Sequence, residues 1–237
     1  MQNTQMKPEQ YIALIKSIFQ ENGNHETAAG QMKYMRHQFE YYGLKAAIWI
    51  DLLKGIFKEN GIFEKEELKI FTRLCMGDEY REINYAGLQM LEKQMKKNPE
   101  EFISFYEELI QTKSWWDTVD WIRKMVGVHF QRFPHLIIPT TEKWMVSNDL
   151  WLQRICLIFQ LTYKEKTDFA LMKKYILQLA NSKEFFIQKG AGWALRQYSK
   201  TNGKGVAEFV NANTQLAPLT KREGLKWLQQ QDLIDRL

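Results

Sequence analysis

Apolar residues recur at the spacing of an α-helix along almost the whole sequence, and this pattern limits the possible folds more than any other feature. In the first such segment, behind Pro8, the apolar residues at positions 11, 14, 15 and 18 lie on one helix face. The same pattern recurs over residues 26–41, 47–59, 64–75, 79–97, 100–111, 115–132, 149–163, 168–180, 183–199, 204–212 and 221–231. No window alternates between apolar and polar residues as a half-buried strand does. The sequence therefore predicts an all-α fold.

Hydroxyl residues that resemble N-caps recur at a nearly constant interval in the second half of the chain. They are Ser114, Ser147, Ser182 and Thr220, separated by 33, 35 and 38 residues. Ser114 with Asp117, and Thr220 with Glu223, also fit a capping box. A period in the thirties is typical of stacked helix pairs, which bury their apolar faces by forming a solenoid with a concave surface. We therefore predict an α-solenoid of HEAT-like pairs, with residues 1–237 as a single domain.

Composition argues against several classes of protein. The chain is 45% hydrophobic and 14% aromatic, which suits a packed core and argues against disorder. No stretch approaches 18 apolar residues, and the first residues show no secretory signal. Two cysteines, Cys75 and Cys156, are too few for a disulfide framework or a Cys-based zinc site. The same low cysteine count indicates a reducing cytoplasm. The four histidines show no metal-ligand spacing, and we expect no metal and no cofactor.

Charge is distributed unevenly along the chain. Residues 1–120 carry 15 Lys and Arg against 19 Asp and Glu, whereas residues 121–237 carry 18 against 9. Seven of the eight tryptophans lie at or after Trp115. A basic half rich in tryptophan suggests a polyanionic partner that also offers flat rings. The alternative is a solvated basic surface around a tryptophan-rich core.

Several cations stand at the predicted helix starts, where the helix dipole disfavours them by a few tenths of a kcal/mol. They are Lys113 before Ser114, Lys183 after Ser182, and Lys221 and Arg222 after Thr220. A phosphate bound by free N–H groups and an ammonium would reverse this effect. Three such sites at the repeat interval would follow a nucleic-acid backbone. The alternative is that these side chains point into water, which screens their charge.

Trp116 and Asp120 are separated by four residues, so they share one face of the predicted helix. An indole face beside a carboxylate suits a positively charged guest, because the ring attracts a cation and the carboxylate supplies the opposite charge. The alternative is a core tryptophan beside an exposed aspartate. If the predicted caps mark equivalent repeats, Arg154 lies at a similar height on the next repeat. It would then form a structural ion pair with Asp120 or bind a phosphate near the reacting centre.

Trp193 lies in a helical pattern that contains two glycines, Gly190 and Gly192. Each glycine inside a helix costs about 1 kcal/mol relative to alanine, so its presence needs a reason. Close approach of another helix or of a ligand backbone would supply one.

Four blocks of sequence resemble the AlkD-type DNA alkylation repair glycosylases. The blocks are residues 112–120, 148–154, 182–189 with Gly192 and Trp193, and 216–223, and the resemblance runs from about residue 28 to 230. It implies a HEAT-like repeat enzyme of the bacterial cytosol, associated with the nucleoid when on DNA. Such an enzyme removes cationic N3- and N7-alkylated purines, such as 3-methyladenine and 7-methylguanine, from duplex DNA and leaves an abasic site.

The resemblance also implies roles for individual residues. Trp116, Asp120, Arg154 and Trp193 match positions that line the family's active cleft, and Tyr34 matches an aromatic residue that completes it. Asp120 would stabilise oxocarbenium character on the sugar and could position the attacking water, the indoles would contact the cationic nucleotide, and Arg154 would hold a phosphate. Duplex DNA would be set along the concave face by Lys113, Lys183, Lys221 and Arg222.

The sequence departs from the family after Gly43-Leu44, where the family often has a Pro and an Arg. This chain reads Lys45-Ala46-Ala47-Ile48-Trp49, so the resemblance does not carry a DNA contact over to this segment. Two alternatives to a monomeric glycosylase stay open. One is a non-catalytic HEAT-like protein that binds DNA, and the other is a solenoid that binds an acidic protein.

Overall fold

The computed structural model describes residues 6–234. All regular secondary-structure elements in this range are helices. The α-helices are α1 (Pro8–Glu21), α2 (His25–Tyr34), α3 (Ala46–Asn60), α4 (Lys65–Gly77), α5 (Arg81–Gln94), α6 (Phe102–Ile110), α7 (Trp116–Arg132), α8 (Ile137–Met145), α9 (Leu150–Ile158), α10 (Phe169–Gln178), α11 (Phe185–Ser199), α12 (Gly203–Ala212) and α13 (Pro218–Gln230). Two 3₁₀ turns lie at Pro134–Leu136 and Lys164–Lys166. The all-α prediction is confirmed. None of the helices in residues 6–234 is long and apolar enough to cross a membrane.

The chain divides into two compact units, one ending at Lys113 and the other beginning at Ser114. The first contains α1 to α6 and is built around buried aromatic rings, with Tyr11 packed on Phe63 and Phe71 at centroid distances of 5.3 and 5.5 Å. The second contains α7 to α13. The single domain over residues 1–237 stays a prediction, as does its concave face.

A buried carboxylate in the first unit fixes the loop that precedes α3. Glu82 accepts hydrogen bonds from the backbone N–H groups of Tyr42, Gly43 and Leu44. Burial raises the pKa of Glu82, and these N–H donors only partly oppose that effect. Gly43 has φ of +87°, a conformation that favours glycine. The helix predicted over residues 26–41 ends at Tyr34, because Arg36 and His37 adopt a positive φ of 56° that an α-helix cannot continue through.

The segment that departs from the family, Lys45–Trp49, begins α3. Trp49 is buried, and its ring packs on Tyr85 with centroids 5.5 Å apart. The tryptophan is therefore part of the core of the first unit.

Helix starts recur in the second unit as the sequence predicts, but the predicted N-cap residues are wrong. The first residues of α7, α9, α11 and α13 are Trp116, Leu150, Phe185 and Pro218, at intervals of 34, 35 and 33 residues. The N-cap positions are occupied by Trp115, Asp149, Glu184 and Ala217. Of these four, only Asp149 caps its helix with a side chain, which accepts from the N–H groups of Trp151 and Leu152.

The hydroxyl residues occupy other local positions. Ser147 and Ser182 lie two residues before the N-cap, where each hydroxyl accepts the N–H of the N-cap residue and stabilises the turn that leads into the helix. Thr220 lies inside α13 because Pro218 begins that helix, and its hydroxyl donates to the carbonyl of Gln188 on α11. Ser114 and Thr220 are therefore not the N-caps that the two predicted capping boxes require.

The sequence pattern misses α8. The predicted helices leave residues 133–148 without a helix, since Pro134 and Pro139 are residues that usually end one. Pro139 is the third residue of α8, a position whose N–H has no partner within an α-helix in any case. Proline therefore does not interrupt this helix.

Helix packing explains the two glycines around Trp193. A Cβ added to Gly192 would lie 2.5 Å from the Cβ of Glu223 and 3.0 Å from the carbonyl oxygen of Thr220, both on α13. A Cβ added to Gly190 would lie 3.0 Å from Nη1 of Arg154 on α9. The glycines thus let α11 approach its neighbours closely, which is the first of the two reasons considered from the sequence.

We predict that Gly192→Ala destabilises the protein by about 1–3 kcal/mol, because its methyl group would force α11 away from α13. Chemical denaturation measures this change. The matched control is Gly55→Ala in the exposed interior of α3, where an added Cβ would meet nothing within 4 Å. We expect that control to stabilise the protein by about 0.5–1 kcal/mol, as alanine does in a helix interior. Equal effects of the two substitutions would contradict the packing explanation.

Two cations on α11 hold a buried carboxylate of α13. Glu223 accepts from Lys189 at 2.7 Å and from Arg196 at 2.9 Å. Burial raises the pKa of Glu223, but the hydrogen bond from Lys189 and the charges of Lys189, Arg196 and Lys226 outweigh burial and lower it overall. A carboxyl whose pKa is lower in the folded state stabilises the fold above its unfolded pKa, and that contribution disappears as pH falls through the folded pKa.

Glu223→Gln should therefore lower the free energy of unfolding by about 1.5–3 kcal/mol at neutral pH, the range for hydrogen bonds to charged groups. The difference from wild type should shrink as pH falls below about 4.3, the ordinary pKa of a glutamate. Denaturation curves between pH 3 and 7 measure it. Glu208→Gln removes an equal charge from an exposed i, i+4 pair with Lys204 on α12 and should change little. A constant difference across this pH range would contradict the assigned ion pair.

Candidate functional site

A buried ion pair joins two successive repeats of the second unit. Arg154 on α9 donates from Nε to Oδ1 of Asp120 on α7, and from Nη2 to Oδ2, each at 2.9 Å. The Arg154 side chain is 4% exposed and the Asp120 side chain 20% exposed. Nη1 of Arg154 also donates to the carbonyl of Phe186 on α11. One guanidinium thus links three helices and fixes both carboxylate oxygens of Asp120, which keeps part of its surface open.

Three aromatic rings pack together at the starts of the same helices. Trp115 precedes α7, Trp151 is the second residue of α9 and Phe186 is the second residue of α11. Their ring centroids lie 4.9 to 6.0 Å apart, and Cζ of Arg154 lies 5.8 Å from the Phe186 ring. We call these three residues the aromatic cluster. This cluster was not predicted from the sequence, although aromatic residues at equivalent positions of successive repeats are a signal for such packing.

One stripe of α7 carries Trp116, Asp120 and Arg123, at positions i, i+4 and i+7 of the helix. Trp116 and Arg123 are half-buried. Cζ of Arg123 lies 5.8 Å from the ring centroid of Trp193 on α11. Burial lowers the pKa of Arg123, the charge of Asp120 raises it, and the charge of Arg154 lowers it further. The resemblance assigns five residues to the active cleft, and all except Tyr34 belong to α7, α9 and α11. Arg123 neighbours two of them, Asp120 on the same stripe and Trp193 on α11.

The predicted cations of the second unit differ in their surroundings. Lys183 lies on the surface just before the N-cap of α11, and Arg222 is exposed in the first half of α13. Lys221 donates to the carbonyl of Thr214 at 3.1 Å. Two of these three side chains therefore have no hydrogen bond or ion pair with any residue from 6 to 234.

The remaining predicted residues belong to the first unit. Tyr34 is the last residue of α2 and is 72% exposed. The Lys113 ammonium donates to the carbonyls of Gly77 and Asp78 at the C-terminal end of α4. A cation there is stabilised by the helix dipole. The expectation that Lys113 is unfavourably placed at a helix start is therefore wrong, because its side chain interacts with a different helix.

Neither cysteine is prepared for nucleophilic chemistry. Cys75 and Cys156 are buried, and burial raises the pKa of both thiols. In the described part of the chain, no three His, Cys, Asp or Glu side chains are grouped so that they could hold a metal ion.

Comparisons with known proteins agree with this architecture. A family model described as DNA alkylation repair enzyme matches residues 15–228. A solved structure described as a predicted DNA alkylation repair enzyme from Enterococcus faecalis is 36% identical, with a TM-score of 0.80. The match covers 87% of this chain and 96% of that one. No curated protein matches the sequence.

Proposed function

Because the chain belongs to the DNA alkylation repair enzyme family, we propose that it is a monofunctional alkylpurine DNA glycosylase. It hydrolyses the N-glycosidic bond of cationic N3- and N7-alkylated purines in duplex DNA and leaves an abasic site. The observation that carries this proposal is Asp120, a partly exposed carboxylate that Arg154 holds in a fixed orientation. In this proposal the enzyme is a cytoplasmic monomer that needs no metal or cofactor.

The chemistry of the substrate fits one carboxylate. An N3- or N7-alkylpurine is already positively charged, so it leaves without a general acid. The bond between the sugar and the purine breaks, its electron pair neutralises the purine, and positive charge develops on the sugar. Ionised Asp120 stabilises this charge and positions the water that attacks C1′. The proton that this water loses passes to the carboxylate or to solvent.

Trp116 and Trp193 supply indole surfaces to the cationic nucleotide. Each cation–π contact contributes about 0.5–2 kcal/mol, depending on how well the site excludes water. Their helices support this role, since Trp116 shares a stripe of α7 with Asp120 and Trp193 neighbours Arg123 on that stripe. A role for Tyr34 in the cleft stays a prediction from the family resemblance.

Arg154 acts through Asp120 in this proposal. Three of its nitrogens donate to Asp120 and Phe186, and its side chain is almost fully buried. These contacts favour the ion pair over a phosphate as its partner in the free protein. A phosphate contact from Arg154 stays a prediction, and its test follows in the Discussion.

In this proposal duplex DNA binds through Lys183, Lys221 and Arg222 of the second unit. A DNA contact from Lys113 stays a prediction, because its ammonium donates to carbonyls at the end of α4. Lys183→Ala should weaken duplex binding and reduce the slope of log K against log salt by about 0.9, the value for one phosphate contact on B-DNA. Fluorescence anisotropy at several salt concentrations measures this slope. An unchanged slope would contradict a phosphate contact at the start of α11.

Release of free 7-methylguanine and 3-methyladenine from methylated duplex DNA tests the function directly. Release of the bases, with abasic sites left in the DNA, is the expected result. Tight duplex binding without release would instead favour a non-catalytic DNA-binding protein. If the protein neither releases bases nor binds duplex DNA, it shares only the fold of the family. Binding of an acidic protein would then be the remaining hypothesis.

A further inference from the structure

We propose that Arg123 is a phosphodiester-binding residue of this cleft, and that it binds a backbone phosphate of the damaged strand next to Asp120. The inference rests on the proposed function for the identity of its ligand, which is DNA. It rests on α7, α9 and α11 for its geometry. It adds a residue that neither the sequence patterns nor the resemblance assigned.

The first observation is that two nitrogens of the Arg123 guanidinium lack hydrogen-bond partners. Its Nε and Nη1 are buried, and neither forms a hydrogen bond with any residue from 6 to 234. Buried side-chain polar atoms nearly always have a partner in folded proteins, and each exception needs an explanation. Nη2 is not among these buried atoms. A phosphate that binds at Nη2 and draws the guanidinium fork toward the cleft is one such explanation, because that fork matches a phosphate.

The second observation is that the neighbouring carboxylate is already engaged. Asp120 is the acidic group that acts on Arg123, but both of its oxygens accept from Arg154. Arg123 forms no ion pair with Asp120 in residues 6–234, and this group of three residues carries a net charge of +1. A cationic purine alone would be repelled by the excess charge. A nucleotide also carries a phosphodiester, whose negative charge would balance the group.

The third observation is that the charge of Arg123 is unfavourable in the free protein. Burial lowers its pKa, and the nearby Arg154 lowers it further, while Asp120 only partly compensates. An arginine that serves the fold alone has no reason to remain buried without hydrogen bonds. A bound anion would raise the pKa of Arg123 and so oppose both causes. The position on the stripe with Trp116 and Asp120, beside Trp193, places that anion in the cleft where the nucleotide is proposed to bind.

These observations predict opposite effects on stability and on binding. Arg123→Met keeps the length and apolar stem of the side chain and removes the charge. We expect the Tm to stay level or rise by about 2–4 °C, since no hydrogen bond is lost and an unfavourable charge is removed. We expect the Kd for DNA to increase about tenfold and the salt slope to fall by about 0.9. If Arg123 had only a structural role, Arg123→Met would lower the Tm and leave DNA binding unchanged.

The experiment measures anisotropy of two fluorescent duplexes across a salt series, one undamaged and one containing a tetrahydrofuran abasic-site analogue. Neither duplex contains an alkylated base that could be released, so binding is measured separately from catalysis. Arg123→Lys keeps the charge and should retain part of the affinity. Lys124→Met, the next residue on α7, removes the same charge from the surface and should change the Kd less than twofold.

The outcomes separate this inference from the proposed function. A wild-type protein that binds duplex but releases no base would contradict the glycosylase, while the Arg123 comparison would still decide the phosphate contact. An unchanged Kd and salt slope for Arg123→Met would overturn the inference even if the wild type releases alkylated bases. An equal loss of affinity for Lys124→Met would also overturn it, because general charge would then explain the effect. Failure of the wild type to bind either duplex would overturn both proposals.

Discussion

Asp120→Asn should reduce the release of 7-methylguanine and 3-methyladenine by about 10²–10³-fold, the cost of removing one preorganised electrostatic group from a transition state. The amide has the shape of the carboxylate and can still accept from Arg154, but it carries no charge to stabilise the sugar cation. Affinity for duplex DNA should stay nearly unchanged or increase, because a negative charge near the backbone is removed. Single-turnover release and anisotropy measure the two effects separately.

Stability needs its own control, because Asp120 is the counter-charge of the almost fully buried Arg154. Removing one partner of a buried pair costs about 3–5 kcal/mol, so Asp120→Asn should lower the Tm. Combining it with Arg154→Met removes both charges and should restore part of the stability without restoring activity. Asp117→Asn removes a carboxylate one turn earlier on α7 and should leave release within a few-fold of wild type. Near wild-type release by a folded Asp120→Asn variant would exclude Asp120 from the mechanism.

The helical class and the repeat interval could be predicted from the sequence because both depend on interactions between near neighbours. Apolar residues at a spacing of 3.6 indicate helices wherever they lie in the fold. Exact helix starts could not be predicted in the same way. A serine hydroxyl can accept an N–H in the turn before a helix as well as at its N-cap, and Ser147 and Ser182 do the former. Pro139 shows the same limit, since its effect depends on its position within α8.

The candidate site divides along the same line. That Trp116 and Asp120 share a face follows from helix geometry, and the repeat interval places Arg154 near Asp120 on the next repeat. The contacts that bury Arg154 and fix its orientation depend on tertiary packing. They include the carbonyl of Phe186 and the close approach at Gly190, which the spacing of residues does not reveal. For the same reason the sequence does not single out Arg123, since only the structure shows that its Nε and Nη1 lack hydrogen-bond partners.

Arg154 offers the second large effect, and its variants separate the two roles considered from the sequence. Arg154→Lys keeps a positive charge but cannot donate two parallel hydrogen bonds to Asp120. If Arg154 orients Asp120, Arg154→Lys should reduce base release by about 10²-fold, the effect of misplacing a catalytic group by about 1 Å. Duplex affinity and its salt dependence should stay as in the wild type.

A phosphate contact would give the opposite pattern. Arg154→Lys would then keep most of the activity, because lysine also binds phosphate, while Arg154→Met would weaken duplex binding and reduce the salt slope by about 0.9. In the orienting role, Arg154→Met should instead leave binding intact, reduce release at least as much as the lysine variant, and destabilise the fold by about 3 kcal/mol. That figure is at the low end for a broken buried pair, because Asp120 keeps a fifth of its surface in solvent. The salt dependence of duplex binding, measured together with the rate of base release, therefore decides whether Arg154 orients Asp120 or binds a phosphate.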